Sequence, residues 1–306
     1  MPSFNPSLKP LVALLTLASA SLMTTGCVDL DDDDDDSKGV TYQATATLGT
    51  VTAGVGEYTV KVTASDGSDL EGATVTVKPV MDMQNDGSIN HGTPASVETG
   101  ELDENGEFKA TGYFLMESGD MGSWFLEVSS NDITQTLPIT VNWDEGGRAN
   151  LFGSDDDQIM GMSGGTTARS YYLFNDGTAE HTGMGMTAVS IYVGARESMM
   201  DYNAVAVGET LTGGTQDLPI SAVDLNLCVS DCMTMDGDTS VMNMDNWKAA
   251  EGGLDGLYGA TFMATDVESI MIQLTVNGEV KTTVGGANHV ELSLTGSADS
   301  GHGHGM

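Results

Sequence analysis

The feature that most constrains the fold is a two-residue alternation of apolar and polar side chains, which recurs in short segments along most of the chain. In Glu57–Ala64, the side chains of Tyr58, Val60 and Val62 share one parity, while threonine and lysine occupy the other. This is the pattern of a strand with one buried face. Dipeptides that tolerate positive φ in tight hairpins separate several such segments: Asp66-Gly67, Asn105-Gly106 and Asn277-Gly278. Short strands with frequent turns predict an all-β sandwich fold instead of a parallel α/β sheet.

The alternation falls into two groups, separated by a stretch rich in glycine, serine and aspartate over 145–168. We therefore predict two β-sandwich domains, over 40–144 and 169–296, with a linker at 145–168. A short helix is expected only at Met242–Glu251, and 297–306 is predicted to be a disordered tail. The predicted strands are Glu57–Ala64, Ala73–Lys78, Glu107–Met116, Ser123–Val128, Thr134–Trp143, Arg169–Phe174, Thr187–Ala195, Ile220–Leu227, Tyr258–Ala264, Ser269–Val276, Glu279–Val284 and His289–Leu294.

The charge balance excludes several classes of partner. The 306 residues include 45 Asp and Glu but only 10 Lys and Arg, for a formal net charge of -35. Such a body repels phosphate backbones, so we expect no nucleic-acid partner. Cationic partners, metal ions among them, remain compatible with it. No nucleophile elbow, phosphate-binding loop or zinc-protease helix occurs in the sequence, so the chain is predicted not to be an enzyme.

The first 26 residues have the features of a secretory signal peptide. An apolar run over Leu11–Met23 is too short to span a bilayer and leads to small residues ending at Cys27. Met23–Cys27 resembles a bacterial lipobox, in which the cysteine is lipidated and becomes the mature N-terminus; Thr24 stands where leucine is usual. An ordinary signal peptide with an incidental cysteine is the alternative.

Residues 27–39 then form the link to the folded body. Val28 follows the cysteine, which by the same resemblance favours the outer membrane, with the body facing the periplasm or the cell surface. The acidic block that ends at Asp36 cannot bury itself and is predicted to be a solvated, self-repelling tether. The predicted partner at this end is therefore a membrane, reached through the lipid on Cys27.

Methionine is the most unusual component, with 19 residues. Thioethers are soft, uncharged ligands that select Cu(I) and combine readily with imidazole. Met81 and Met83 are two residues apart, which places both on one face of a strand, and His91 follows in the next loop. These three residues are the leading candidates for a copper site. The alternative is packing, because both methionines continue the parity of Val75 and Val77.

Other metal-binding patterns are weaker. Asp82–Asn90 is similar to the start of an EF-hand calcium loop, but Thr93 occupies the twelfth position, where a carboxylate is needed. A second set of soft donors consists of His181, Met184 and Met186. Cys228 and Cys232 are predicted to form a local disulfide in an oxidising compartment, with a thiol copper site as the alternative.

A family resemblance covers roughly Ala73 to Val128. The matching segments, in order, are Val75–Met83, His91–Pro94, Gly106–Phe108, Tyr113–Met116 and Met121–Val128. In these segments the chain resembles the YtkA-like, FixH-related domain of bacterial envelope proteins. The resemblance implies an immunoglobulin-like sandwich without catalysis, in the context of copper handling. It adds Met116 and Met121 to the candidate ligands and implies a core role for Trp124.

The resulting prediction is an exported, membrane-anchored lipoprotein that binds a soft metal ion, copper, for handling or delivery to a metal-accepting envelope protein. The competing prediction is a structural or adhesion-type β-sandwich lipoprotein without a metal function. In that case the methionine side chains fill the hydrophobic core, and the negative charge keeps the protein soluble.

Overall fold

The computed structural model describes residues 40–49, 51, 54–94, 98–130, 133–142, 148–161, 164–181, 184–214, 216–236 and 239–294. The predicted signal peptide, the tether with Cys27 and the tail over 297–306 lie outside the described residues. No helix in the described ranges is long and apolar enough to cross a membrane.

The N-terminal sandwich consists of two antiparallel sheets. One has the order β1-β2-β5 and the other β4-β3-β6-β7. Their strands are β1 (Tyr42–Leu48), β2 (Val55–Ala64), β3 (Thr74–Asp82), β4 (Glu98–Glu101), β5 (Glu107–Tyr113), β6 (Ser123–Ser130) and β7 (Ile133–Ile139). The core between the sheets follows from strand parity. Tyr58, Val60 and Val62 of β2 are buried against Val75 and Val77 of β3, as the alternation predicts.

The C-terminal sandwich is larger. One sheet has the order β20-β21-β12-β11-β8, with β13 paired to β12; the other has the order β19-β16-β22-β23, with β24 paired to β22. Three two-stranded ladders, β9-β10, β14-β15 and β17-β18, complete it. The strands are β8 (Arg148–Phe152), β9 (Gln158–Met160), β10 (Thr166–Ala168), β11 (Ser170–His181), β12 (Met186–Arg196), β13 (Tyr202–Ala204), β14 (Thr210–Leu211), β15 (Leu218–Pro219), β16 (Val223–Cys228), β17 (Met233–Asp236), β18 (Thr239–Met242), β19 (Lys248–Ala249), β20 (Glu251–Leu254), β21 (Leu257–Phe262), β22 (Ser269–Val276), β23 (Glu279–Val280) and β24 (Val290–Ser293).

The core of this sandwich lies between its two large sheets. Leu173, Ile191 and Val193 of one sheet pack with Ile272 and Leu274 of the other, all fully buried. The expected inward face of β22 is confirmed by this packing. With antiparallel sheets throughout both sandwiches, the predicted all-β class is confirmed.

Two local predictions are corrected by the structure. The segment 145–168, expected to be a linker, contains β8, β9 and β10, and β8 pairs with β11 over five residues. Short strands with glycine and aspartate between them lack the length that reveals alternation. The helix expected at Met242–Glu251 is wrong: only Met244–Asn246 forms a 3-10 turn. The Trp247 indole there donates to the Cys232 carbonyl oxygen, which holds the segment against the neighbouring hairpin.

The two sandwiches meet along a surface that we call the seam. On the C-terminal side, the seam is the outer face of β8, β11, β12 and β13, opposite the core face. Cross-strand partners on it include Arg148 with Phe174, Asn150 with Tyr172, Phe174 with Tyr192, and Arg196 with Tyr202. On the N-terminal side are Tyr113, Leu115 and the segment His91–Pro94. The Tyr113 and Tyr192 rings stack with centroids 4.0 Å apart.

Candidate functional site

The predicted copper ligands Met81 and His91 are brought side by side by a single antiparallel bridge. The Met81 amide donates to the His91 carbonyl oxygen at 2.8 Å, and the His91 amide donates to the Met81 carbonyl oxygen at 3.1 Å. Residues directly opposite in such a pair extend their side chains to the same face. The loop between them therefore places the His91 imidazole beside the strand that carries Met81. The spacing of the two residues in the sequence did not require this arrangement.

Trp124 belongs to the same buried cluster as several of these side chains. The indole is fully buried and donates to the Met116 carbonyl oxygen at 3.0 Å. Met81 is fully buried in the same cluster, and Met83 and Met116 pack against it while half-buried. The His91 ring meets the indole edge-on, with centroids 6.4 Å apart. Four of the five predicted ligands thus lie in or beside the buried cluster that contains Trp124.

The His91 imidazole is itself buried and lies at the seam. Its Nδ1 is 2.6 Å from the Gly92 carbonyl oxygen, which can only accept, so Nδ1 carries the hydrogen and Nε2 the lone pair. Burial lowers the pKa of His91, and the positive charge of Arg196 lowers it further. The ring is therefore held in its neutral form.

The remaining predicted donors are placed differently. Met121 is 53% exposed on the turn before β6, outside the packed cluster. In the second set, His181 is the ladder partner of Met186 at the end of β11, while Met184 is 62% exposed. Cys228 and Cys232 are joined by a disulfide. The lipidation site Cys27 lies outside the described residues.

The described ranges contain no hard-metal centre, and neither described histidine ring is bonded to a nucleophile. No group of three or more His, Cys, Asp or Glu side chains there is positioned to hold a metal ion. Of the two described histidine rings, His91 is bonded to its neighbouring carbonyl oxygen and His289 to the Asn288 side chain. Neither bond joins the imidazole to a hydroxyl or thiol nucleophile, which is the pairing that covalent catalysis uses.

The loop with the calcium-like pattern uses its first carboxylate as a structural cap. Asp82 accepts hydrogen bonds from the backbone amides of Gln84, Asp86 and Gly87 at 2.7–3.3 Å. Burial alone would raise the pKa of Asp82, but these bonds lower it. The carboxylate thus serves the loop as its cap, while the twelfth position of the calcium-like pattern is Thr93, which is fully buried and has no carboxylate to complete a calcium shell.

We expect Asp82→Ala to lower the midpoint of thermal unfolding by several degrees, because three backbone amides lose their acceptor. Added Ca²⁺ should leave the wild-type midpoint unchanged. The wild-type stabilisation by this group is present at neutral pH and is lost as pH falls through its depressed pKa. Calorimetry with and without Ca²⁺ checks both statements, and a Ca²⁺-dependent rise that Asp82→Ala abolishes would show that the loop is a calcium site.

Sequence reasoning missed a buried ionic cluster that ties the C-terminal sandwich together. Asp157 accepts from the Arg169 guanidinium at 2.8 Å, the Lys281 ammonium at 2.9 Å and the Tyr171 hydroxyl. Arg169 also pairs with Glu197, and all four charged side chains are at most 4% exposed. In so acidic a chain, carboxylates carry little information, but the scarcity of Lys and Arg could have drawn attention to these two cations.

Comparison with known proteins adds little to this description. No model of a known protein family and no curated protein is significantly similar to the chain. Among solved structures, invasin, a bacterial integrin-binding protein, matches with a TM-score of 0.25 and 13% identity. The match covers 85% of this chain and 40% of that chain, so this chain spans less than half of invasin's length. At that level of similarity the match carries no functional argument. The YtkA-like resemblance therefore rests on the quoted segments alone.

Proposed function

We propose that the chain is a non-catalytic, envelope-anchored structural module of the adhesion type. It would be a stiff acidic body, held at the membrane by the lipid on Cys27 and separated from it by the acidic tether. The observation that supports this proposal best is the use of the predicted soft donors. Met81 is fully buried, and His91 is 5% exposed between two aromatic rings. Both side chains thus serve as packing groups of the interior and of the seam.

A second observation that supports the structural proposal is the buried interface that holds the two sandwiches rigidly together. Domains joined by small polar contacts move relative to each other, whereas a buried apolar interface fixes them. Here Tyr113, Leu115, Phe174, Tyr192 and Tyr202 form a buried cluster of their own between the sandwiches. Tyr113 also donates from its hydroxyl to Asp176 at 2.5 Å. A body built this way can hold a binding surface at a set distance from its anchor.

The proposal predicts attachment of whole cells through an anchored acidic surface. Cells that express the wild-type chain should adhere to polylysine-coated glass more strongly than cells lacking it, because a net charge of -35 attracts a cationic surface. Adhesion should weaken at high salt, since the Debye length falls from about 10 Å at 0.1 M to about 3 Å at 1 M. Attachment and membrane fractionation are measured on the same cultures.

Cys27→Ser is the matched control, because it leaves the folded body unchanged and removes the lipidation site. The variant should leave the membrane fraction, and the cells should lose the added adhesion. Equal attachment by cells with wild type, Cys27→Ser and no protein would contradict the adhesion proposal. Unchanged fractionation of Cys27→Ser would contradict the lipid anchor.

Copper binding is the second candidate function, and the arrangement around Trp124 favours it. Met81, Met83 and Met116 belong to one packed cluster with Trp124, and His91 contributes a neutral ring beside that indole, with its lone pair on Nε2. Soft thioether and neutral imidazole donors suit Cu(I). Met83 and Met116 are half-buried, so this cluster is reached from its rim.

Competition for Cu(I) against bathocuproine disulfonate separates the two candidates. If packing is the role of these residues, Met83→Ala combined with His91→Ala should hold Cu(I) no more weakly than wild type. A wild-type site that retains one equivalent of Cu(I), with retention lost in the double variant, would replace the structural proposal by the copper function. Met121→Ala is the control, because its exposed side chain lies outside the cluster.

A further inference from the structure

The seam concentrates polar groups that the proposed adhesion role does not use. Among the described residues, four buried side-chain oxygen atoms have no hydrogen-bond partner. Three of them belong to seam residues: Thr93 Oγ1, Asn150 Oδ1 and the Tyr202 hydroxyl. Thr93 is fully buried and Tyr202 is 4% exposed. Buried polar groups without protein partners are rare because each is unfavourable by about 1–3 kcal/mol, so three in one region suit a polar ligand.

Strand register places these groups together. Tyr202 of β13 is the direct cross-strand partner of Arg196 in β12, and Asn150 is the partner of Tyr172 in the same sheet. Gly194 is the partner of both Tyr172 and Ala204 on that face. Because side chains of one parity share a face, they all point towards the N-terminal sandwich.

The N-terminal segment His91–Pro94 covers this region. The His91 ring lies 6.1 Å from the Tyr202 ring, and Pro94 packs over Gly194. Thr93 lies between these two contacts in the chain. The Gly92 amide, which donates to the Met199 carbonyl oxygen at 2.8 Å, holds the segment in place.

Arginine is concentrated at the seam. The chain has three arginines, and two of them, Arg148 and Arg196, lie on the seam face. Burial raises the pKa of Tyr202, and the positive charges of Arg196 and Arg148 oppose that shift. Burial lowers the pKa of His91, and the charge of Arg196 acts in the same direction. Arg196 donates to the Ser198 carbonyl oxygen and to the Met199 sulfur, neither of which neutralises its charge.

We propose that the seam binds a small carboxylate between the two sandwiches, held by the Arg196 guanidinium and the hydroxyls of Thr93 and Tyr202. A guanidinium presents a planar set of donors that matches a carboxylate, and each hydroxyl supplies one more O–H donor. A monoanion is favoured over a dianion because the surrounding negative charge of the protein repels a divalent ion more strongly. Its binding would satisfy two of the unpartnered oxygens and join the sandwiches.

Titration calorimetry of the full chain with acetate tests this site. Sodium acetate replaces sodium chloride at constant ionic strength, so general screening of the acidic surface does not change. Wild type should give saturable binding of one acetate. Arg196→Gln should weaken the affinity at least tenfold, and Tyr202→Phe, which removes only the hydroxyl, should weaken it severalfold.

Lys109→Gln is the matched control, because it removes the same charge from an exposed position on β5 and should keep the wild-type affinity. Near-ultraviolet circular dichroism verifies that each variant is folded before titration. Absence of saturable binding by wild type, or equal loss of affinity in Arg196→Gln and Lys109→Gln, would overturn the proposal. Saturable binding of phosphate but not acetate at matched ionic strength would overturn the assignment to a carboxylate.

Discussion

Asp157→Ala should destabilise the protein by about 3–5 kcal/mol, the range found when one partner of a buried ion pair is removed. The carboxylate accepts from Arg169, Lys281 and Tyr171 at once, and Arg169 and Lys281 are at most 1% exposed. Glu279 and Glu197 remain as partners for the two cations, but neither can replace the acceptor that Asp157 provides between them. Equilibrium unfolding in urea at neutral pH measures the loss.

The exposed pair between Lys61 and Glu107 supplies the control. Its side chains are 44% and 31% exposed, so Glu107→Ala should change the free energy of unfolding by less than about 1 kcal/mol. If Asp157→Ala and Glu107→Ala have equal effects, the buried cluster does not stabilise the fold in the way described.

Acid sensitivity follows from the same carboxylate. Burial would raise the pKa of Asp157, but hydrogen bonds from Tyr171 and Lys281, with the positive charge of Lys281, lower it. The resulting stabilisation is complete above the pKa of an unfolded aspartate, about 3.9, and is lost as pH falls below it through the folded value. Wild type should therefore lose stability more steeply than Asp157→Ala below about pH 4.

Gly92→Ala should destabilise the protein by about 3 kcal/mol, at the upper end of what overpacking causes. A Cβ atom at this position would overlap the Met200 carbonyl oxygen and lie 2.8 Å from its carbonyl carbon. Backbone atoms cannot rotate away as a side chain can, so the segment His91–Pro94 must lift from the seam. We expect thermal unfolding to separate into two transitions as the sandwiches lose their contact.

Gly165→Ala is the control for this substitution, since a Cβ atom there meets nothing within 4 Å. It should leave the unfolding curve within experimental error of wild type. A Gly92→Ala protein that unfolds in one transition with the wild-type midpoint would show that the seam does not couple the two sandwiches.

Much of the fold could be predicted from the sequence by strand parity, the alternation of buried and exposed side chains along each strand. The inward faces of β2 and β22 follow directly from alternating residues, since one face of each strand meets a core. Parity did not predict which residues are buried where both faces of a strand are covered. In β12, the residues Ile191 to Ala195 are all buried, because the sandwich core lies on one face and the seam on the other. The burial of Tyr192 and Gly194 therefore depends on a partner surface from far along the chain.

The soft donors illustrate the same limit. The sequence indicated that Met81 and Met83 share a face, but both a metal site and a core edge satisfy that geometry. The bridge that sets His91 opposite Met81, and the position of Trp124 beside both residues, are decided by pairing between separate segments of the chain.

By itself the sequence determined the all-β class and the main strands, because alternation and turn chemistry are local properties of the chain. Only the tertiary structure decided that segment 145–168 enters a sheet and that Arg169 and Lys281 meet at the buried Asp157. It also placed Arg196 and the unpartnered hydroxyls of Thr93 and Tyr202 at the seam. The physical reason is the sequence distance over which each interaction acts. Backbone preferences act between neighbouring residues, whereas strand pairing, ion clusters and interfaces join residues that are far apart in the chain, and nothing in the sequence indicates that they touch.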